Sequence, residues 1–340
     1  MTAAAGDVAA GTAPDGAPAA RPVGARPVPT IFLGSGAFGV PILEALVASP
    51  ETEVVAVVSS PDRPVGRKAV LTAVPVAARA RELGLTVHQP DRIRDPAAAG
   101  ALAERRPTLG ILADYGQIVP AAILDLPPRG ILNVHPSLLP RHRGATPIPA
   151  AILAGDRVTG VTLIRMDEGL DTGPIVAVTR WPLSGDETAP ELEARAAAAG
   201  AALLAVTLGP WLRGELEATP QPVDGATPTR PLRRDDGRLD PSRSAVELER
   251  QVRAFQPWPG AFVETAAGRL KVLRAGVAPA AGEVAPAPGT FGPGPGLRLH
   301  TADGDLVILE VQPAGGRAMS GEDLVLGRPA LPGSRVVAAP

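Results

Sequence analysis

From Pro29 to about Gly214, short, uncharged, apolar runs alternate with stretches of helical periodicity, and no other feature narrows the fold as far. Apolar runs without polar alternation suit strands buried on both faces, and the stretches between them suit the helices that cover those faces. Strands are expected at 30–34, 54–59, 109–113, 130–134, 161–166 and 175–181, and helices at 38–48, 74–83, 96–105 and 146–153. The alternation predicts an α/β domain with a mainly parallel sheet wrapped by helices. A long helix at 186–214, with acidic residues in its first turn, closes that domain.

The 340 residues are enough for about two domains. Residues 217–231 are rich in Pro, Thr and Gly and poor in apolar side chains, as a linker between 29–216 and 232–330 would be. Beyond it, a helix at 245–255 precedes alternating runs at 261–264, 270–276, 297–301 and 306–312, which predict a small β-rich domain able to close as a barrel. The stretch 278–296 carries so much Gly, Pro and Ala that it reads as a mobile loop. Residues 1–28 are Ala, Gly and Pro with scattered Arg, which predicts a disordered extension without the apolar core of a secretory signal.

Hydrophobic residues make up 45 % of the chain but aromatic ones only 3 %, so Ala, Val and Leu must supply most of the packing volume. A formal charge of -2 gives no global attraction to nucleic acid or an anionic membrane. The second domain is balanced too: 232–328 holds 12 Lys+Arg and 12 Asp+Glu, so contact with RNA has to be local. The absence of cysteine excludes thiol chemistry and fits a cytoplasmic setting. No run approaches the roughly 20 apolar residues of a membrane helix, so no membrane partner is expected.

Gly34-Ser35-Gly36-Ala37-Phe38-Gly39 sits between a strand and a helix and matches the dinucleotide fingerprint literally. Its ribose-binding acid is missing from the end of the second strand. Asp62 stands beyond it in the turn-like Pro61-Asp62-Arg63-Pro64, so a tight turn of small residues is the better reading and no NAD is expected. Asn133 and His135 differ by two, so on a strand they share one face, and Pro136 ends that strand where open α/β sheets hold ligands. With Asp171 in the Asp-Thr-Gly turn they form a set able to stabilise an oxyanion and collect a proton. The four histidines, 88, 135, 142 and 300, show no metal-ligand spacing, and no metal is expected. Arg63, Arg67 and Lys68 form one basic knot, and Arg141, His142 and Arg143 another beside the candidate site.

Asn133-Val134-His135-Pro136-Ser137-Leu138-Leu139-Pro140 and Met166-Asp167-Glu168-Gly169-Leu170-Asp171-Thr172-Gly173 resemble signatures of the folate-dependent formyltransferase superfamily. Within it the chain resembles the methionyl-tRNA formyltransferases. That narrower likeness lies in Pro61-Asp62-Arg63-Pro64 with Gly66-Arg67, in the 140–148 loop, in Arg253-Ala254-Phe255-Gln256-Pro257-Trp258-Pro259, and in the 312–320 segment. It runs from about Pro29 to Gly327. Ala69 and Val70 stand where the family has basic residues, His142 where it has a large aromatic, and Thr146 where it has alanine.

The resemblance implies a Rossmann-like formyltransferase domain followed by an OB-like β-barrel. It implies 10-formyltetrahydrofolate as formyl donor, methionyl-initiator tRNA as acceptor, and a monomer. Asn133, His135 and Asp171 match the family's catalytic triad. Ser137, Leu138, Leu139 and Pro140 match its folate loop, with Tyr115, Gly116 and Ile118 near the pterin. Arg63, Arg67, Lys68, Arg141 and Arg143 are the residues expected to meet tRNA. The nucleophile must be an uncharged amine, so activity is expected to fall at low pH; Asp171 is expected to favour a protonated His135, and a need for that form would make activity fall at high pH as well. Rival readings are a nucleotide-sugar N-formyltransferase, an NAD-dependent oxidoreductase, and a non-catalytic RNA-binding protein on the same fold.

Overall fold

The computed structural model describes residues 26–65, 70–279, 286–292 and 296–337. Most of the proposed N-terminal extension, and part of the 278–296 stretch, lie outside them.

A seven-stranded sheet forms the first half of the molecule. Its strands are β1 (Val28–Gly34), β2 (Thr52–Val58), β3 (Val87–His88), β4 (Leu109–Ala113), β5 (Ile131–His135), β6 (Val158–Arg165) and β7 (Ile175–Pro182), in the order β7-β6-β5-β4-β1-β2-β3. Six strands run in one direction, while β6 lies antiparallel to its neighbours β5 and β7. β1, β4 and β5 are buried almost end to end, as their uncharged sequences require.

Helices α1 (Gly39–Ala48), α2 (Pro75–Glu82), α3 (Pro96–Ala103), α4 (Ala121–Leu124), α5 (Pro147–Ala154) and α6 (Ala189–Arg213) surround the sheet. Two cores result, one on each face. The larger gathers Phe32, Ile42, Leu132, Val134, Leu204 and Leu208; the smaller gathers Ile31, Leu33, Leu112, Tyr115 and Ile131. α6 corrects the expectation that no run approaches membrane-spanning length, because it is long and apolar enough by composition to cross a membrane. Here it lays Leu192, Leu204, Leu208 and Trp211 into the larger core. Thr188 and Glu191 form a capping box that starts it three residues later than the sequence predicts, and Gly214 ends it in the left-handed conformation.

The second sheet is antiparallel and curled into an OB-like half-barrel. Its strands are β8 (Ala261–Thr265), β9 (Gly268–Ala278), β10 (Phe291–Gly292), β11 (Leu297–His300), β12 (Asp305–Pro313) and β13 (Met319–Ser320), flanked by α7 (Ala245–Ala254) and α8 (Gly321–Gly327). β10 corrects the reading of 278–296 as a mobile loop throughout. Phe291 is fully buried and pairs with Leu299, because one aromatic anchor outweighs the glycines and prolines around it. α7 packs on α5, and Ala254 and Phe255 join the core of the first domain.

Candidate active site

The site grows from β5. Leu132 and Val134 enter the larger core and Ile131 the smaller, so strand alternation turns Asn133 and His135 toward the smaller core's side. Both are almost fully buried. Register sets Asn133 beside Leu112 of β4 and Ile164 of β6, and His135 beside Thr162.

Asp171 does not come from a strand end. It lies in the turn between β6 and β7, which Asp167 closes by accepting from the Gly169 amide at 3.1 Å and the Thr172 hydroxyl at 2.7 Å. Gly173 is required there, since a Cβ on it would collide with the Arg165 carbonyl. The turn brings Asp171 over β5 with φ at +52°, a left-handed conformation costly for a non-glycine residue. Its carboxylate is tied on both oxygens: Oδ1 accepts from Asn133 Nδ2 at 3.0 Å, and Oδ2 accepts from the Gly144 amide at 2.7 Å. His135 Nδ1 lies 3.6 Å from Oδ2.

His135 donates from Nε2 to the carbonyl of His142 at 3.0 Å. That bond fixes the tautomer, because a carbonyl can only accept, and it turns Nδ1 toward Asp171. Burial lowers the pKa of the ring below its ordinary 6.5, and the opposing pull of Asp171 is the smaller effect. Burial thus works against the expected preference of Asp171 for the protonated ring.

The loop that follows β5 is held from beneath. Ser137 is fully buried, and its hydroxyl donates to the Arg141 carbonyl at 2.7 Å. Thr162 donates to the Ser137 carbonyl at 2.7 Å and accepts from the Leu139 amide at 3.1 Å. Leu139 is buried, while Leu138 and Pro140 are half-buried. Tyr115 also points inward. Its hydroxyl finds no hydrogen-bond partner among the described residues, burial raises its pKa to about 12, and its carbonyl accepts from Ser35 and Ser60. Gly116 and Ile118 are the open residues of that segment, Ile118 being 83 % exposed.

The basic residues separate. Arg63 is exposed on a hairpin of Arg63–Val65 with Val70–Thr72, and Arg67 and Lys68 lie outside the described residues. Arg141 pairs with Asp156 at 2.6 Å, and the same carboxylate takes His142 Nε2 at 2.7 Å. Arg143 is directed inward to Gln221.

Gln221, Thr227 and Thr229 belong to the 217–231 segment, which the sequence shows only as a polar linker. In the fold it pairs with the site loop: Pro228 and Thr229 lie in parallel register with Arg143 and Gly144, and Thr227 accepts from the His142 amide at 2.8 Å. Sequence reasoning also missed Asp156 and Thr162. Nothing local marks them, since their partners are 14 to 25 residues away.

The glycine turn holds a carboxylate. Asp114 lies against Gly36 so closely that any Cβ there would collide with it. Desolvation by the surrounding chain raises the pKa of Asp114 although its surface is exposed, and burial together with the charge of Asp114 raises that of Glu193.

Comparison with known proteins adds the following. A formyl transferase family model matches residues 29–208, and a model of the formyl transferase C-terminal domain matches 231–329. The chain is 44 % identical over 298 residues to a methionyl-tRNA formyltransferase of Chloroflexus aurantiacus, covering 87 % of this chain and 96 % of that one. It is 44 % identical over 306 residues to the methionyl-tRNA formyltransferase of Thermus thermophilus, covering 90 % and 98 %. Among solved structures, an N-formyltransferase from Helicobacter canadensis in complex with folinic acid and dTDP-3-aminofucose superposes with a TM-score of 0.61. It is 16 % identical and covers 83 % of this chain and 98 % of that one.

Proposed function

The chain belongs to the formyl transferase family, and on that premise we propose that it transfers the formyl group of 10-formyltetrahydrofolate to the amine of methionine esterified to initiator tRNA. The formyl donor is folate-derived. The choice of acceptor is carried by one observation: likeness to methionyl-tRNA formyltransferases holds at 44 % identity through both domains. Likeness to the sugar N-formyltransferase is of fold alone. We set the catalytic domain at 29–216, the connector at 217–231 and the C-terminal domain at 232–330, with the two family matches in support.

In this reading the neutral amine attacks the formyl carbon and the carbonyl oxygen gains charge. Asn133 has two N–H groups and spends one on Asp171, so the other serves that oxygen. Such a donor is worth about 3 kcal/mol in acyl transfer. The amine's proton passes to the Asp171–His135 pair. His135 starts neutral with Nδ1 as acceptor, and once protonated it is a cation beside a carboxylate. Collapse of the tetrahedral intermediate then breaks the bond between the formyl carbon and N10, and the leaving nitrogen takes the proton the pair holds, which releases tetrahydrofolate and restores neutral His135.

The residues present suit a folate. Ile118 and Leu170 offer exposed apolar side chains on loops that flank the sheet, and the 137–140 loop offers Leu138 and Pro140 with its backbone fixed by Thr162. Arg63 serves tRNA from the exposed hairpin, with Arg67 and Lys68 next to it in sequence and Arg141 at the rim. The donors and acceptors of the reaction are all side chains, and the proposal calls for neither a metal nor NAD. A dinucleotide would bring pyrophosphate to Gly36, where the Asp114 carboxylate already lies, and Asp62 is engaged by Gln89 and Arg81. We place the enzyme in the cytoplasm as a monomer.

The deciding experiment offers 10-formyltetrahydrofolate with methionyl-tRNA in one reaction and an amino-sugar nucleotide in another. Formylation of the first alone is expected, and formylation of the second alone would reassign the substrate.

A further inference from the structure

We propose that Gln221, in the connector between the domains, is a positioning residue for Asp171, and that Arg143 acts through Gln221 rather than on tRNA. The inference rests on the reading of Asp171 as part of the triad.

All of the hydrogen-bonding capacity of the Gln221 amide is used. Nε2 donates to the carbonyls of Asp171 at 2.7 Å and Gly173 at 2.8 Å, while Oε1 accepts from Arg143 Nε at 3.0 Å and Nη2 at 2.7 Å. The partners fix the orientation of the amide, because carbonyls cannot donate and a guanidinium cannot accept. Donors are needed on one side and an acceptor on the other, a combination that Glu, Met or Lys cannot supply.

The two carbonyls bracket Thr172, immediately after the residue with φ of +52°. Gln221 therefore clamps the strained part of the turn. Its own place is set two residues earlier, where Thr219 and Ile175 exchange both backbone hydrogen bonds at 2.7 and 2.8 Å. The side chain of Asp171 is held from the same direction, since the Gly144 amide that meets Oδ2 neighbours Arg143 in the short strand paired to Pro228 and Thr229. Backbone and carboxylate of Asp171 are thus both referred to the connector. A shift of about 1 Å in such a group is enough to lower turnover about a hundredfold.

The test compares Gln221→Glu, Gln221→Ala and Arg143→Lys with Asp171→Ala in the full-length enzyme. It measures kcat, KM for methionyl-tRNA, affinity for tRNA and melting temperature. Gln221→Glu still accepts from Arg143 but cannot donate to the turn, so it should lose kcat about as much as Gln221→Ala, on the order of a hundredfold, with KM and tRNA affinity unchanged. Arg143→Lys should lose kcat without losing tRNA affinity, because a lysine cannot make the two-point contact. Wild-type kcat in Gln221→Glu alongside an inactive Asp171→Ala would overturn the positioning role and leave the triad standing. Loss of tRNA affinity at normal kcat in Arg143→Lys would return that residue to the tRNA surface and overturn its role here. Wild-type kcat in Asp171→Ala would remove the triad reading, and this inference with it.

Discussion

His135 meets two opposing influences within one side chain's reach. Burial disfavours the imidazolium, Asp171 favours it, and burial is the stronger. The resting ring is then a neutral acceptor at Nδ1, so kcat/KM should rise from acid pH and level off, without the alkaline fall that a protonated resting histidine would produce. A high-pH limb that moves in His135 variants would sink that view. Stability carries the same sign. Unfolded His135 binds a proton below about pH 6.5 while the folded ring resists it, so the full contribution is present above that pH and is lost as pH falls through the lowered pKa. His88, lowered by burial and Arg105, acts likewise, whereas Asp114 and Glu193, raised, act in the opposite sense. Melting His135→Gln beside the wild type from pH 8 to 5.5 isolates the histidine's contribution, and the variant should show the flatter dependence. His135→Ala and Asp171→Ala should each cost orders of magnitude in turnover with native circular dichroism; near-native turnover in either would remove it from the triad.

At the scale of elements, the turn between β6 and β7 decides whether a site exists. β6 runs antiparallel to β5, so the chain must fold back over the sheet to bring Asp171 to Asn133. Asp167, Gly173 and the connector shape that return. Gly173→Ala would drive its new methyl into the Arg165 carbonyl and displace the turn. We expect turnover to fall at least tenfold, with the melting temperature reduced by only a few degrees, since the turn lies outside both cores. Unchanged kinetics would mean that the turn absorbs the methyl without moving Asp171.

At the scale of the molecule, the two sheets are joined by more than a tether. α7 rests on α5, Arg253 donates to the Glu187 carbonyl at 2.8 Å, and Phe255 is buried in the core of the first domain. Phe255→Ala should cost about 3 to 5 kcal/mol in denaturant unfolding, and the two domains should then unfold in separate steps. A single transition at the wild-type midpoint would show that the interface contributes little.

The sequence by itself determined the layer order and the identity of β5. Short, uncharged, β-branched runs between helical stretches suit strands buried on both faces, and period-two spacing puts Asn133 and His135 on one side of such a strand. The likeness of its motifs to those of a known family also named the chemistry. Tertiary structure alone decided the burial that lowers the pKa of His135, the inward turn of Arg143, and the conversion of a polar linker into part of the site. Those outcomes rest on burial and on pairings between residues up to 86 positions apart, such as Arg143 with Thr229. A side chain's local sequence carries its charge and its hydrogen-bonding groups, but how much water reaches it and which partner meets it are set only when distant segments pack.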